Sequence, residues 1–311
     1  MGDTFRAACV TGGAGFIGSH LVRALLARGL EVRVLDNLSV GRRANVPKEA
    51  ALVEGDITDG ACARRAIEGC DIVFHLAARV AIRSSFEFAF EDAMTNVAGT
   101  ARILRAVEDA KTPRKVIAAS SMAVYADADD PTPIGEGHPT APISPYGVGK
   151  LATERLTHLM CARIGIPSIV LRLFNTYGPG QALSPYVGVA TIFINALSRG
   201  ERPTIFGDGQ QRRDFVHVED IVRGFIASMD APVTRGTFNI GSGRGLSVNE
   251  VLSSIQRALG TNLEPQRADG VAGEVRFSVA DIARARHELG YRPLRDFHDS
   301  IHEVAREVVS R

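Results

Sequence analysis

The 311-residue chain has little cysteine. Its four cysteines, Cys9, Cys62, Cys70 and Cys161, form neither a C-x-x-C pair nor a dense framework. That excludes a disulfide-stapled secreted scaffold and predicts reduced packing residues. No His/Cys/Asp cluster has metal-ligand spacing, so no metal is expected. Long hydrophobic runs are missing as well: no stretch of eighteen apolar residues is present to form a membrane-spanning helix. The start, MGDTFRAACVTGG, lacks a basic segment followed by a long apolar stretch and does not read as a secretory signal. Nor is there an excess of one charge. With 36 basic residues against 35 acidic ones, a net charge of +1 gives no reason to expect a nucleic-acid or membrane partner. These absences together point to the cytoplasm. What remains is 45% hydrophobic and 23% charged, an ordinary globular composition long enough for one large or two modest domains.

The first half alternates short β-branched runs with helical patterns. RAACV (6–10), EVRVLD (31–36), ALVEGDI (51–57), DIVFHLAA (71–78), RKVIAASS (114–121) and PSIVLRLFN (167–175) read as strands. Helical patterns cover 16–29, 92–110 and 146–163. Strands alternating with helices imply right-handed crossovers and a parallel sheet, an α/β doubly wound fold of Rossmann type. After Asn175 the texture changes to Gly/Pro-rich loops and shorter elements. The expected division is a nucleotide-binding domain over 1–175 and a smaller mixed α/β substrate domain over 176–311, some of whose segments pack back on the first.

Between the first strand and the first helix lies VTGGAGFIGSH (10–20), with glycines at 12, 15 and 18. Gly12 permits a tight turn, Gly15 lets a pyrophosphate approach the backbone, and Gly18 allows close helix–strand packing. The helix N-terminus adds free N–H donors and a positive dipole end. Asp36 closes the second strand eighteen residues past Gly18. A carboxylate there accepts hydrogen bonds from the adenosine ribose and repels a 2′-phosphate, favouring NAD over NADP despite nearby Arg42 and Arg43.

A second stretch, SPYGVGKLATE (144–154), sets Tyr146 and Lys150 one helical turn apart, roughly 6 Å along one face. A cation near a phenol favours the phenolate, a proton acceptor near neutral pH. The same spacing also occurs on solvated helices with no chemistry.

Taken together, these segments resemble the extended short-chain dehydrogenase/reductase family, specifically its nucleotide-sugar epimerases and dehydratases. TGGAGFIGSH, LDNLS, GDI (55–57), HLAA (75–78) and NVAGT (96–100) look like the cofactor side. SSMAVY (120–125), YGVGK (146–150), RLFNTYGPGQ (172–181) and FGDGQQRRDFVHVED (206–220) look like the active-site and substrate side. The resemblance spans nearly the whole chain. It implies Tyr146 as general acid/base, Lys150 as the residue that holds the nicotinamide ribose and lowers the tyrosine's pKa, and Ser121 on the sugar's reacting oxygen. On the cofactor side it implies Gly12, Gly15, Phe16, Ile17, Gly18, Asp36, Asn37, Ser39, Leu76, Ala77, Ala78, Ser120 and Phe174. Asp56 and Ile57 would flank the adenine, and Asn96 would hydrogen-bond the cofactor. Asn175, Val189, Arg213 and Ser278 would contact the nucleotide sugar. NAD would act as a bound, regenerated group, with C4 inversion through a transient ketone.

Within that family a 4,6-dehydratase needs extra proton-transfer groups before the V-Y pair. Met122 and Ala123 cannot supply them, so the expected activity is a sugar-nucleotide 4-epimerase, on UDP-hexoses or their N-acetyl forms. A dTDP-6-deoxyhexose epimerase is the alternative, followed by a decarboxylase or reductase of the same family. The residue that gates the sugar pocket falls on Phe277 or Ser278, and Ser278 predicts room for an N-acetyl group. Where relatives carry a diphosphate-binding arginine this chain has Val271, leaving Arg267, Arg213 or Arg276 to serve. Ala126 replaces the usual glycine after V-Y.

His20, His75 and His217 read as structural, hydrogen-bonded residues. Apolar positions on the two long helices, Val97, Ile103, Leu104, Val107, Leu151, Leu159 and Met160, predict a homodimer through a four-helix bundle, as in relatives of the resembling family. A non-enzymatic cofactor-binding protein is the competing class. Retention of Tyr146, Lys150 and Ser121 argues against it.

Overall fold

Runs of small and β-branched residues become buried strands, and the glycine or Asx positions between them become turns. The structure, a computed structural model, describes residues 5–80, 84–128, 130–181, 188–270 and 275–309. In chain order come β1 (Ala7–Thr11), α1 (Phe16–Ala27), β2 (Glu31–Asp36), β3 (Ala51–Glu54), α2 (Gly60–Ile67) and β4 (Ile72–His75). Next are α3 (Ala89–Asp92), a π-helical stretch over 93–99, α4 (Thr100–Ala110), β5 (Lys115–Ser121), α5 (Pro145–Arg163) and β6 (Ser168–Leu173). The second half contributes β7 (Asn175–Tyr177), α6 (Val189–Ser198), β8 (Thr204–Phe206), β9 (Arg212–His217), α7 (Val218–Asp230) and β10 (Arg235–Ile240). It ends with β11 (Gly245–Ser247), α8 (Val248–Leu259), β12 (Gln266–Ala268), β13 (Phe277–Ser278), α9 (Ala283–Glu288) and α10 (Phe297–Val309).

Seven strands form one parallel sheet in the order β10-β6-β5-β4-β1-β2-β3. The chain reverses its direction of travel between β1 and β4, which opens a crevice at the strands' carboxyl ends. One core joins a sheet face to α1 and α7; another joins the opposite face to α2 and α4. A third core, under α6, α8 and α10, belongs to the second half. The expected doubly wound α/β fold is the observed one. The division at residue 175 is crossed, because β10 completes the first sheet and α7 packs beside α1.

Local chemistry sets the boundaries. Asp59 caps α2 by accepting from Ala61 N at 2.7 Å, and Ser247 with Glu250 forms a capping box on α8. Ser144 caps α5 by accepting from Gly147 N at 3.1 Å, with Pro145 in the first turn. Two strands stop three residues before the sequence pattern does. β3 ends at Glu54 because Asp56 turns the chain, its Oδ1 accepting from Thr58 N at 2.8 Å. β4 ends at His75, where Thr11 Oγ1 takes the N–H groups of Leu76 and Ala77 at 3.2 and 3.1 Å. Among the described residues no helix is long and apolar enough to cross a membrane, and no cluster of three or more His, Cys, Asp or Glu could hold a metal.

Candidate active site

The crevice begins with the glycine loop. Gly12 has φ +73°, and a Cβ there would lie 2.8 Å from Ala77 N; at Gly18 it would meet Gly12 O at 2.1 Å. Only glycines let α1 start this close to β1 and β4. The α1 N-cap, Gly15, provides no side-chain hydrogen bond, so the first-turn N–H groups of Phe16, Ile17 and Gly18 remain available for an anion. Asp36, buried at the end of β2, accepts from Ala14 N at 3.0 Å and Leu38 N at 2.9 Å. Each carboxylate oxygen keeps a lone pair for a ribose hydroxyl. Next to it Asn37 donates to Asp56 Oδ2 at 2.8 Å and accepts from Ser39 Oγ at 2.7 Å. Arg43 is paired with Glu54, which leaves it committed rather than poised for a 2′-phosphate. The loop therefore fits a dinucleotide with unmodified adenosine ribose.

Several residues expected on the cofactor side are engaged within the protein. Ile57 is buried against Gly99, and Phe174 is buried in the first core. Asn96 clamps the backbone of Arg79, accepting from its N–H at 2.9 Å and donating to its carbonyl at 3.2 Å. It thereby shapes the loop after β4. The Ser120 hydroxyl donates to Glu154 at 2.6 Å. Leu76, Ala77 and Ala78 stay partly exposed, with the first two pinned by Thr11. His75, between Thr11 Oγ1 (2.8 Å) and Thr100 Oγ1 (3.0 Å), is a hydrogen-bonded structural residue, and burial pushes its pKa down to about 3. His20 meets the Pro179 carbonyl at 2.9 Å, and His217 caps α7.

The catalytic candidates converge at the ends of β5 and α5. Ser121 is the last residue of β5, its Oγ accepting from Ala123 N at 3.2 Å. Gly147 lets the first turn of α5 lie against that same segment; a Cβ there would fall 2.4 Å from Ala123 O. This contact brings the buried Tyr146 beside Ser121, close enough for the serine hydroxyl to act on the phenol's pKa. Lys150, also buried, lies with Nζ 6.0 Å from the Tyr146 ring centroid and donates to Ala119 O at 3.0 Å. The expectation that Lys150 lowers the tyrosine's pKa needs correction for the protein alone. Burial pushes the phenol up to about 12, the Ser121 hydrogen bond pulls it back, and Asp92 adds to the rise. Burial likewise brings Lys150 down to about 8, against the opposing pull of Glu154 and Asp92. Both groups are driven toward neutrality.

Sequence reasoning missed the charges behind this pair. Glu154 continues the series 146, 150, 154 on one helix face, a spacing that could have exposed it. It accepts from Arg172 Nε at 2.9 Å and Nη2 at 2.8 Å. Asp92 holds Arg79 at 3.2 Å, while its second oxygen is buried without a partner.

On the second half's side of the crevice, β9 carries Arg213, β13 pairs beside it through Ser278, and β7 brings Asn175. Asn175 donates to Asp214 O at 3.2 Å. Ser278 is buried and its hydroxyl has no partner, whereas Phe277 is partly exposed. Val189 opens α6, whose N-cap Gly188 provides no side-chain bond. Val271 lies outside the described residues. Arg267 donates to Asp208 O at 3.1 Å, Arg276 to the Asp208 carboxylate at 2.9 Å, and Arg213 to Arg276 O at 3.3 Å. Three arginines thus gather at one place.

Comparison with known proteins agrees with this geometry. Residues 8–241 match the model of the NAD dependent epimerase/dehydratase family. A putative UDP-glucose 4-epimerase of Methanocaldococcus jannaschii is 36% identical, covering 95% of this chain and 96% of that one. The structure of a UDP-glucose 4-epimerase from Thermotoga maritima, solved with UDP-glucose, superposes with a TM-score of 0.92 at 34% identity, over 97% of this chain and 98% of that one. A UDP-N-acetylglucosamine 4-epimerase from Methanobrevibacter ruminantium M1 superposes with a TM-score of 0.92 at 31% identity, over 100% and 99%. Glycine loop, sheet order and the Ser121–Tyr146–Lys150 cluster together with these matches show that the chain belongs to the NAD-dependent epimerase/dehydratase family.

Proposed function

We propose that the chain is a nucleotide-sugar 4-epimerase acting on UDP-hexoses, with NAD held between the glycine loop and Lys150. The observation that carries this reading is the meeting of Ser121, Tyr146 and Lys150 beside a segment, Met122–Ala123, that has no further proton-transfer group. When bound, NAD supplies a reversible hydride acceptor and, in its oxidised form, a positive charge. Tyr146 takes the proton of the C4 hydroxyl as the carbon is oxidised, and Ser121 hydrogen-bonds the reacting oxygen. Tyr146 returns the proton after the sugar has presented its other face, so the hydroxyl reappears inverted. A phenol near 12 requires positive charge beyond that of the protein alone to act at neutral pH.

Arg213, Arg267 and Arg276 offer cations to the diphosphate in place of the residue at 271. The small Ser278, paired with Arg213 in the β9–β13 register, supports tolerance of an N-acetyl group. Four buried, unbridged cysteines suit a reducing compartment, the cytoplasm. A homodimer is supported by an apolar surface on α3, the π-helical stretch and α5. Phe90 is 73% and Leu159 65% exposed, Met94 is exposed as well, and Val148 lines a cavity of about 480 Å³ with Ala93, Val97 and Pro142. Ile103, Leu104 and Val107, expected on that surface, are instead buried in the second core.

The test incubates purified protein, without added NAD, with UDP-galactose, UDP-N-acetylglucosamine and a dTDP-6-deoxyhexose, following anomeric protons by NMR. Conversion of a UDP-hexose to its C4 epimer is expected. No conversion of any of the three, even after NAD is added, would sink the reading and favour a uronic-acid substrate.

A further inference from the structure

Lys150 is the one buried lysine facing the crevice, and its surroundings extend one turn further along α5. Three consecutive residues of β5 hold three side chains of that helix. The Ala119 carbonyl receives Lys150 Nζ, the Ser120 hydroxyl bonds Glu154, and the Ser121 hydroxyl meets Tyr146. Arg172, directly across from Ser120 in the β5–β6 register, grips Glu154 with two further bonds. Glu154 and Arg172 are buried, and their side chains are only 4% and 7% exposed. A carboxylate with three donors and two flanking cations is anchored more firmly than helix packing alone requires. A buried pair of this kind adds little net stability over apolar residues of similar size.

We propose that Glu154, anchored by Arg172 and Ser120, is a positioning residue that fixes Lys150 in the catalytic crevice and keeps it charged. Its oxygens are taken up by Ser120 and Arg172, so it acts on Lys150 through its field and through the seating of α5. The other titratable or charged groups around Lys150 are Tyr146 on the same helix, Asp92 of α3 with its partner Arg79, His75 of β4 in its neutral form, and Arg172 of β6. Of these, Glu154 and Asp92 oppose the effect of burial on the lysine. Removing the Glu154 charge moves the titration of Lys150 downward from about 8, so that at pH 8 the lysine is mostly neutral.

This inference deepens the epimerase reading, and its test is chosen to be independent of the substrate. The chain has four lysines, Lys48, Lys111, Lys115 and Lys150, so protein labelled with 13Cε-lysine gives four side-chain signals to follow with pH. In Glu154→Gln the Lys150 signal should titrate about one pH unit lower, and in Glu154→Asp close to its original position. With the sugar nucleotide that turns over, Glu154→Gln should lose about tenfold in kcat at pH 8.5, with KM changed less than twofold. Should Glu154→Gln fail to fold, Glu154→Gln/Arg172→Met removes both charges and leaves no orphan, and its Lys150 should titrate lower than in Arg172→Met alone. A folded Glu154→Gln in which Lys150 titrates as in the unmutated protein, or a double variant that titrates as Arg172→Met does, overturns the proposal. Absence of epimerase activity in the unmutated protein would instead strike the functional reading and leave the NMR result standing.

Discussion

Tyr146 and Lys150 share one environment but respond to it in opposite directions, the phenol rising and the ammonium falling. Turnover then rests on the few polar groups that resist this drift. Tyr146→Phe deletes the proton acceptor while keeping the ring, and turnover should fall by about a thousandfold. NAD binding, measured by fluorescence titration, should stay within a few fold, because the glycine loop is untouched. If turnover survives Tyr146→Phe, the enzyme uses another base. Ser121→Ala removes one hydrogen bond to the reacting oxygen and should cost roughly tenfold in kcat. Its effect on KM is expected to be smaller.

Helix α5 is the element through which sequence becomes geometry. Gly147→Ala places a methyl group 2.4 Å from Ala123 O, so the first turn must retreat and take Tyr146 with it. A displacement near 1 Å costs on the order of a hundredfold in turnover, and steady-state kinetics alongside NAD titration will separate this from a loss of cofactor. On α8, Ser247→Ala breaks the capping box and should lower stability by about 1 kcal/mol in denaturant unfolding. Much of this was legible beforehand. The strand and helix periods, the glycine spacing and the Tyr146–Lys150 turn are local patterns, and they named the crevice. What local pattern cannot give is register. Ser120 and Asn96, expected at the cofactor, also bond Glu154 and the Arg79 backbone, partners that no local spacing announces. Glu154 itself was hidden because its significance depends on Arg172, placed opposite Ser120 by strand pairing. Phe174 and Ile57 were apolar positions whose side of the sheet no short window specifies.

The assembled molecule shows its own responses. His75 is neutral in the folded protein, burial having moved it down to about 3. The unfolded chain takes up that proton below about pH 6.5, so the stability due to neutral His75 is full above that value and declines as pH falls toward 3. The decline is about 1.4 kcal/mol per pH unit, and urea unfolding at pH 7.5, 6 and 5 should show it. Replacing His75 by Gln should flatten that slope. The proposed dimer through α3 and α5 is tested by light scattering: at micromolar concentration it should give twice the chain mass, and Leu159→Glu with Phe90→Glu should shift it toward one chain. A monomer for the unmutated protein would refute the dimer. The seventh strand, β10, has a consequence for biosynthesis. About 60 residues separate β6 from β10, which at roughly 5–20 residues per second is a delay of about 3–12 s on the ribosome. During that interval the β6 edge is open to stray pairing, so a nascent chain stalled before residue 235 should be a client for chaperones.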